Sequence, residues 1–206
     1  MRILVVDTTK QNSHIVLFGE DFFANKVLDV VTKVSESLLP NIESLLLENK
    51  ISLSDIDAFG VVTGPGSFTG VRVGVATIKA FAQALHKKIV AINSFDVLDS
   101  VIDNGLLYLK CTNTSSYCAM YLDGKVTDMC VVNNTDAVLD NVSQLENEVV
   151  FDNVGSIITN YPQILANAFL EKYKAGEFVE YNKLEPLYLQ LSQAEIALIE
   201  KEKKNA

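Results

Sequence analysis

One order of elements recurs along this chain, and it restricts the possible folds more than any other feature. Continuous or β-rich apolar runs at Ile3–Val6, His14–Phe18 and Val27–Thr32 read as three strands, with Gly19-Glu20-Asp21 as a turn between the last two. Leu38, Leu39, Ile42, Leu45 and Leu46 then recur at helical spacing. Pro40 fits only a first turn, so this helix is expected to begin close to Ser37 and to end near Asn49-Lys50. A buried strand at Ala58–Val62, a helix from about Phe68 to His86, a strand at Lys88–Ile92 and a short helix capped by Ser94 complete the first unit. The pattern then starts again. Strands are expected at Leu106–Lys110, Tyr117–Leu122 and Val126–Val132, the last two joined by an Asp123-Gly124 hairpin turn. A helix capped by Thr135, a strand at Glu148–Phe151 and a helix at Tyr161–Tyr173 follow.

Three antiparallel strands followed by crossover helices make a mixed sheet with helices on its faces. Two such units in one chain predict an α/β protein of the actin-like ATPase (ribonuclease H-like) architecture, with two similar βββαβα subdomains and mixed sheets. The expected division is residues 1–102, carrying the first two long helices, and residues 103–206, smaller, with a final helix from about Ser192 that crosses back onto the first half. At 206 residues and 49% apolar composition there is ample material for a packed core. No run of about 18 uncharged apolar residues occurs, so no membrane span is expected. The short run after Met1-Arg2 does not form a signal-peptide core, which predicts a cytoplasmic address. A net charge of −9 disfavours direct nucleic-acid binding, because phosphate contacts depend on Lys and Arg. Cys111, Cys118 and Cys130 have neither disulfide-framework nor zinc spacing and are expected to be reduced thiols. His14 and His86 complete no metal-ligand pattern.

The most informative segment runs from Thr63 through Gly64-Pro65-Gly66-Ser67 to Gly74, between a buried strand and a long helix. Glycine there permits positive φ and close backbone approach, Ser67 can cap the helix, and free N–H groups at a helix start can bind an anion. No Gly-Lys-Ser/Thr ending is present, so this is not a phosphate-binding P-loop. A dinucleotide fingerprint fits Gly64 and Gly66 but meets Thr69 where the third glycine belongs, and the next strand ends at Asn93 rather than an acid. A tight turn that binds nothing stays open as a reading. Asp7, Thr8, Gly64, Gly66 and Ser67 are the weak candidates for cofactor contact. Asp7 ends the first strand, but Thr8 and Thr9 replace the glycine expected beside a phosphate site. Ser67 and Thr69 lack an activating base, since His86 lies about 28 Å along the same helix.

The polar residues Arg72, Lys79, Gln83 and His86 lie on one narrow stripe of the second helix, leaving roughly 240° of its circumference apolar or small. Packing on a sheet needs only about 100° or somewhat more. Subunit docking and burial by neighbouring helices are both open. The docking reading nominates Leu38, Leu39, Ile42 and Leu46 on the first helix, and Gly70, Val71, Gly74, Val75, Ile78 and Ala82 on the second.

Val6-Asp7-Thr8-Thr9, Ser35-Glu36-Ser37-Leu38-Leu39-Pro40, the segment Thr63–Gly74, Glu185-Pro186-Leu187-Tyr188-Leu189 and Ser192-Gln193-Ala194-Glu195 together resemble the TsaB (YeaZ) family. The resemblance spans nearly the whole chain, although the second half matches mainly in its Pro-Leu-Tyr-Leu stretch. It implies a non-catalytic subunit of the bacterial machinery that threonylcarbamoylates the adenosine next to the anticodon in tRNAs reading codons that start with A. It further implies a catalytic TsaD-type partner, a TsaE-type ATPase, TsaC as supplier of the activated intermediate, and homodimers. On this reading tRNA is met only through the complex, no cofactor is bound by this subunit alone, and ATP/ADP and a metal belong to partner subunits. Older protease labels for the family find no metal ligands here. Val34 stands where the family often has histidine, and Lys110-Cys111-Thr112 replaces a usual Asp-Ala-Arg stretch. A self-contained actin-like nucleotide hydrolase or kinase is the alternative.

Overall fold

The computed structural model describes residues 1–10, 12–28, 32–99, 101–110, 115–133 and 160–190. The first strand, β1 (Arg2–Asp7), is buried on both sides, as a continuous Ile-Leu-Val-Val run requires of a central strand. It pairs antiparallel with β2 (His14–Gly19) and parallel with β4 (Ala58–Val62). Antiparallel β3 (Phe23–Val27) and parallel β5 (Lys88–Ile92) form the two edges, giving the order β3-β2-β1-β4-β5 and a mixed sheet. The third strand starts four residues earlier than its apolar run suggested. The Gly19 N–H donates to the Phe22 carbonyl, closing a tight turn that sends the chain straight back from Phe23. As an edge strand, β3 alternates exposed and half-buried residues.

Helix α1 (Val34–Glu48) and helix α2 (Phe68–Leu85) cover one face of this sheet. Helix α1 begins three residues before the expected start, so Pro40 lies inside it; Pro40 and Glu36, whose carbonyl is deprived of its bond, are both exposed to water. Leu4 and Val6 of β1, with Leu17, Phe59 and Val61, pack against Leu38, Ile42 and Leu45 of α1 and Val71, Val75 and Ile78 of α2. After β5, Asn93 rather than Ser94 caps the next turn: its Oδ1 accepts from the Phe95 and Asp96 N–H groups, while the Ser94 hydroxyl donates to the Pro65 carbonyl. That turn is a 3-10 helix over Asp96–Leu98.

The second sheet contains β6 (Gly105–Lys110), β7 (Ser115–Leu122) and β8 (Lys125–Asn133), antiparallel in that order. The helix capped by Thr135, the strand Glu148–Phe151 that would make this sheet mixed, and the helix from Ser192 lie outside the described residues. Helix α3 (Tyr161–Ala175), expected as part of the second unit, packs on the opposite face of the first sheet. Its Leu165, Ala166 and Phe169 join Ile3, Val5, Val16 and Val90 in one core, which continues into Leu107, Tyr117, Ala119 and Tyr121 of the second sheet. Gly60 makes this possible, because a Cβ there would stand 2.6 Å from the Phe169 ring. Residues 177–190 then return to the first sheet, through a bridge between Ile89 and Val179 and a bond from the Leu187 N–H to the Thr63 carbonyl. A cut at residue 102 therefore separates the sheets but not the packing units.

Candidate functional site

The glycine segment and the end of β1 meet, and the chain itself fills the space between them. The Ser67 N–H donates to the Thr9 carbonyl at 2.7 Å, and the Ser67 hydroxyl caps α2 by accepting from the Gly70 N–H. Thr8 Oγ1 donates to the Gly70 carbonyl at 2.7 Å. A Cβ at Gly66 or Gly70 would run into the backbone of Thr9 or Thr8, and one at Gly74 into the Thr8 side chain. These three glycines thus bring α2 against the β1 loop. Gly64, at φ +111°, lies beneath the Leu187 carbonyl of the returning segment. All five weak cofactor candidates, Asp7, Thr8, Gly64, Gly66 and Ser67, are engaged in contacts within the chain. The polar cavity beside them, bordered by Thr8, Lys10, Ser13, Ser37, Ser67 and Gly70, measures about 170 Å³. Small-molecule pockets usually start near 300 Å³.

Asp7 is fully buried. Its Oδ1 accepts from the Thr9 N–H at 2.9 Å and the Thr9 hydroxyl at 2.6 Å, and its Oδ2 accepts from the Tyr161 hydroxyl at 2.6 Å. Lys10 Nζ stands 3.7 Å from the same Oδ2 and 3.7 Å from the centre of the Tyr161 ring. Burial alone would raise the Asp7 carboxyl, but the Lys10 charge and the hydrogen bonds from Thr9 and Tyr161 outweigh it and hold the group below the ordinary carboxylate range. Burial pushes the Lys10 ammonium down, the Tyr161 hydroxyl well up, and the His14 imidazole down. The His14 ring lies 5.0 Å from that of Tyr161. Lys10, His14 and Tyr161 were not singled out together by sequence, since Tyr161 is 154 positions from Asp7. This arrangement ties the first residue of α3 to the end of β1. Both carboxylate oxygens of Asp7 accept hydrogen bonds from within the chain.

The nominated docking residues need correction. Leu38, Ile42, Leu46, Gly70, Val71, Gly74, Val75, Ile78 and Ala82 are buried within the chain, against the sheet and against each other. Only Leu39 among the ten is exposed, at 53%. The polar stripe of α2 is partly engaged: Arg72 and Lys79 have partners in the returning segment, while Arg72, Gln83 and His86 remain exposed. Arg72 Nε donates to the Tyr188 hydroxyl, Lys79 Nζ donates to the Leu184 carbonyl, and Tyr188 stacks on Phe68 with ring centres 4.4 Å apart. The returning segment therefore lies along the Arg72–Lys79 part of that side. The neighbouring face stays open. On α1 it carries Leu39, Pro40, Glu43 and Leu47, the last 70% exposed; on α2 it carries Ala76, Ala80 and Ala84, with Val73, Thr77 and Phe81 half-buried. Between the helices runs a groove of about 480 Å³, bordered by Leu39, Leu47, Ile51, Leu53 and Phe81 over Ile42 and Leu46. The spacing of Leu39 and Leu47, two turns apart and off the buried ridge, was the signal for it in the sequence.

Among the described residues no group of three or more His, Cys, Asp or Glu could hold a metal, and no helix is long and apolar enough to cross a membrane. The mixed five-strand sheet, with two helices on one face and α3 on the other, defines an α/β protein of the actin-like, ribonuclease H-like class. The solved structure of YeaZ from Pseudomonas aeruginosa has the same fold, with a TM-score of 0.72 at 21% identity over 91% of this chain and 99% of that one. A family model described as "TsaD: tRNA N6-adenosine threonylcarbamoyltransferase" matches residues 30–198. The tRNA threonylcarbamoyladenosine biosynthesis protein TsaB of Bacillus subtilis (strain 168) is 28% identical over 98% of this chain and all of its own length. The protein of the same name from Escherichia coli (strain K12) is 30% identical over 46% of this chain and 41% of its own. The chain belongs to the TsaB (YeaZ) family.

Proposed function

We propose that this chain is a non-catalytic subunit required for tRNA threonylcarbamoyladenosine biosynthesis, acting by binding and stabilising a catalytic subunit of the TsaD type. Its full-length similarity to a protein of that pathway supports the pathway. The open apolar groove between α1 and α2 carries the docking part of the reading. An exposed face of leucine, proline and alanine on two adjacent helices suits the packing of two further helices, with Leu47 and Leu39 as the projecting contacts. The same face can pair two copies of this chain, so homodimer and heterodimer are alternative occupants of one surface.

The Asp7 region supports the non-catalytic half. Its carboxylate is saturated by groups of the chain, and Ser67 Oγ accepts a cap bond. On this reading ATP, ADP and a metal are bound by the TsaD-type and TsaE-type partners, tRNA is reached through the assembly, and the chain works in the cytoplasm. Two measurements test the proposal. Depleting the chain in its host should lower threonylcarbamoyladenosine in bulk tRNA, measured by nucleoside mass spectrometry; an unchanged level would refute the pathway role. The purified chain alone should not turn over ATP. Sustained turnover, abolished by Asp7→Asn, would favour a self-contained nucleotide hydrolase instead.

A further inference from the structure

Cys118 on β7 and Cys130 on β8 are register partners on adjacent antiparallel strands. A two-residue Asp123-Gly124 turn alone would place Cys118 opposite Met129, following the pairings Leu122 with Lys125 and Tyr121 with Val126. An irregularity between Met120 and Tyr121 inserts one extra residue on β8, so that Met120 faces Asp128 and Cys118 faces Cys130. Such bulges re-aim side chains onto particular partners. Directly opposed residues have Cα atoms about 4.5–5.5 Å apart, inside the roughly 4.4–6.8 Å window that a disulfide spans. The two thiols lie close enough to share a hydrogen bond, and the Tyr108 hydroxyl, across the other edge of β7, donates to the Cys118 sulfur. Cys118 is buried and Cys130 is exposed.

We propose that Cys118 and Cys130 form an oxidation site, closing an intrachain disulfide that staples β7 to β8 when a hydroperoxide is present and reopening with thiols. The exposed Cys130 sulfur attacks the hydroperoxide: a sulfur–oxygen bond forms, the oxygen–oxygen bond breaks, and the departing oxygen takes the Cys130 thiol proton and leaves as an alcohol or water. The Cys118 sulfur then attacks the resulting sulfenic acid. A sulfur–sulfur bond forms, the sulfur–oxygen bond breaks, and the departing hydroxide takes the Cys118 proton to give water. The two sulfurs together lose two electrons, which reduce the peroxide. Burial, reinforced by the neighbouring Cys130, pushes the Cys118 thiol up to about 12, so it serves as the resolving thiol and not as the first nucleophile. A disulfide exposed on one side belongs to the labile, more oxidising group, so thiol buffers keep the pair open until an oxidant arrives.

The test uses the reduced full chain, treated with hydrogen peroxide, blocked with an alkylating reagent and mapped without reduction by mass spectrometry. The expected product has lost two hydrogen masses, links the Cys118 and Cys130 peptides within one chain, and reverts fully with dithiothreitol. Cys111→Ser should leave this linkage intact, whereas Cys118→Ser should leave Cys130 carrying added oxygen with no loss of two hydrogens. Wild-type protein that gains oxygen at Cys130 while Cys118 stays alkylatable would overturn the proposal. So would linkage through Cys111, linkage between two chains, or thiols that survive excess peroxide.

Discussion

Replacing Tyr161 by Phe removes one oxygen and isolates the contribution of the bond that joins α3 to β1. Phe keeps the ring that meets His14 at 5.0 Å and that Lys10 caps at 3.7 Å, so packing is retained. What disappears is a buried donor 2.6 Å from a carboxylate that has no access to water. A hydrogen bond to a charged group contributes about 1.5–3 kcal/mol, and for a chain of this length each kcal/mol moves the melting temperature by about 2–4 °C. Tyr161→Phe should therefore melt about 3–12 °C lower at pH 7. The pH dependence follows from the depressed Asp7 carboxyl. A group whose folded pKa lies below its unfolded value contributes stability above the unfolded value, near 3.9, and loses it as pH falls through the folded value. The gap between wild type and variant should be full at neutral pH. In strong acid, with Asp7 protonated in both proteins, it should shrink toward the roughly 1 kcal/mol of a neutral bond. Thermal melts followed by circular dichroism from neutral pH down into strong acid, well below the unfolded value near 3.9, would measure this. A variant melting within about 1 °C of wild type at pH 7, or a gap that stays constant into acid, would refute the role assigned to Tyr161.

Other consequences are equally direct. Gly70→Ala should lower stability by about 1–3 kcal/mol or more in denaturant titrations, because its methyl group meets the Thr8 backbone, which cannot move away; an unchanged midpoint would mean that α2 does not lie as close to β1 as described. Tyr188→Ala should release the returning segment from Phe68 and Arg72, seen as faster proteolytic cleavage within residues 184–190 while the rest of the chain resists. Ile78→Asp should unfold the chain, since Ile78 has no exposed surface, whereas Leu47→Asp should leave the melting temperature within the small range typical of surface changes.

Much of this architecture could be read directly from residue patterns. The apolar run ending at Asp7, the strand-loop-helix around Gly64–Gly74 and the Asp123-Gly124 hairpin all stand where local chemistry puts them. Local pattern located the third strand less well, because Val27–Thr32 is as β-rich as Phe23–Val27, and it is the Gly19–Phe22 bond that decides the register. The open face of α1 and α2 shows a different limit. Periodicity correctly marked α1 and α2 as unusually apolar, but it cannot say which stripe the chain covers itself. The sheet takes the Leu38–Ile42–Leu45 ridge and the returning segment takes the Arg72–Lys79 stripe, leaving Leu39, Leu47 and the alanines of α2. The Asp7–Tyr161 tie and the Cys118–Cys130 pairing were out of reach for one reason: each depends on contacts set by tertiary packing or by a single inserted residue.

The open face of α1 and α2 is where we propose that a partner subunit sits. The most direct measurement is a calorimetric titration of the host's TsaD-type subunit with wild-type chain and with the Leu39→Asp/Leu47→Asp double variant, after both are shown to melt alike. Fully burying one leucine contributes about 1.5–3 kcal/mol, so losing two and placing charge in the contact should weaken binding by at least about 100-fold. Wild-type affinity retained by the folded double variant would contradict docking through this face.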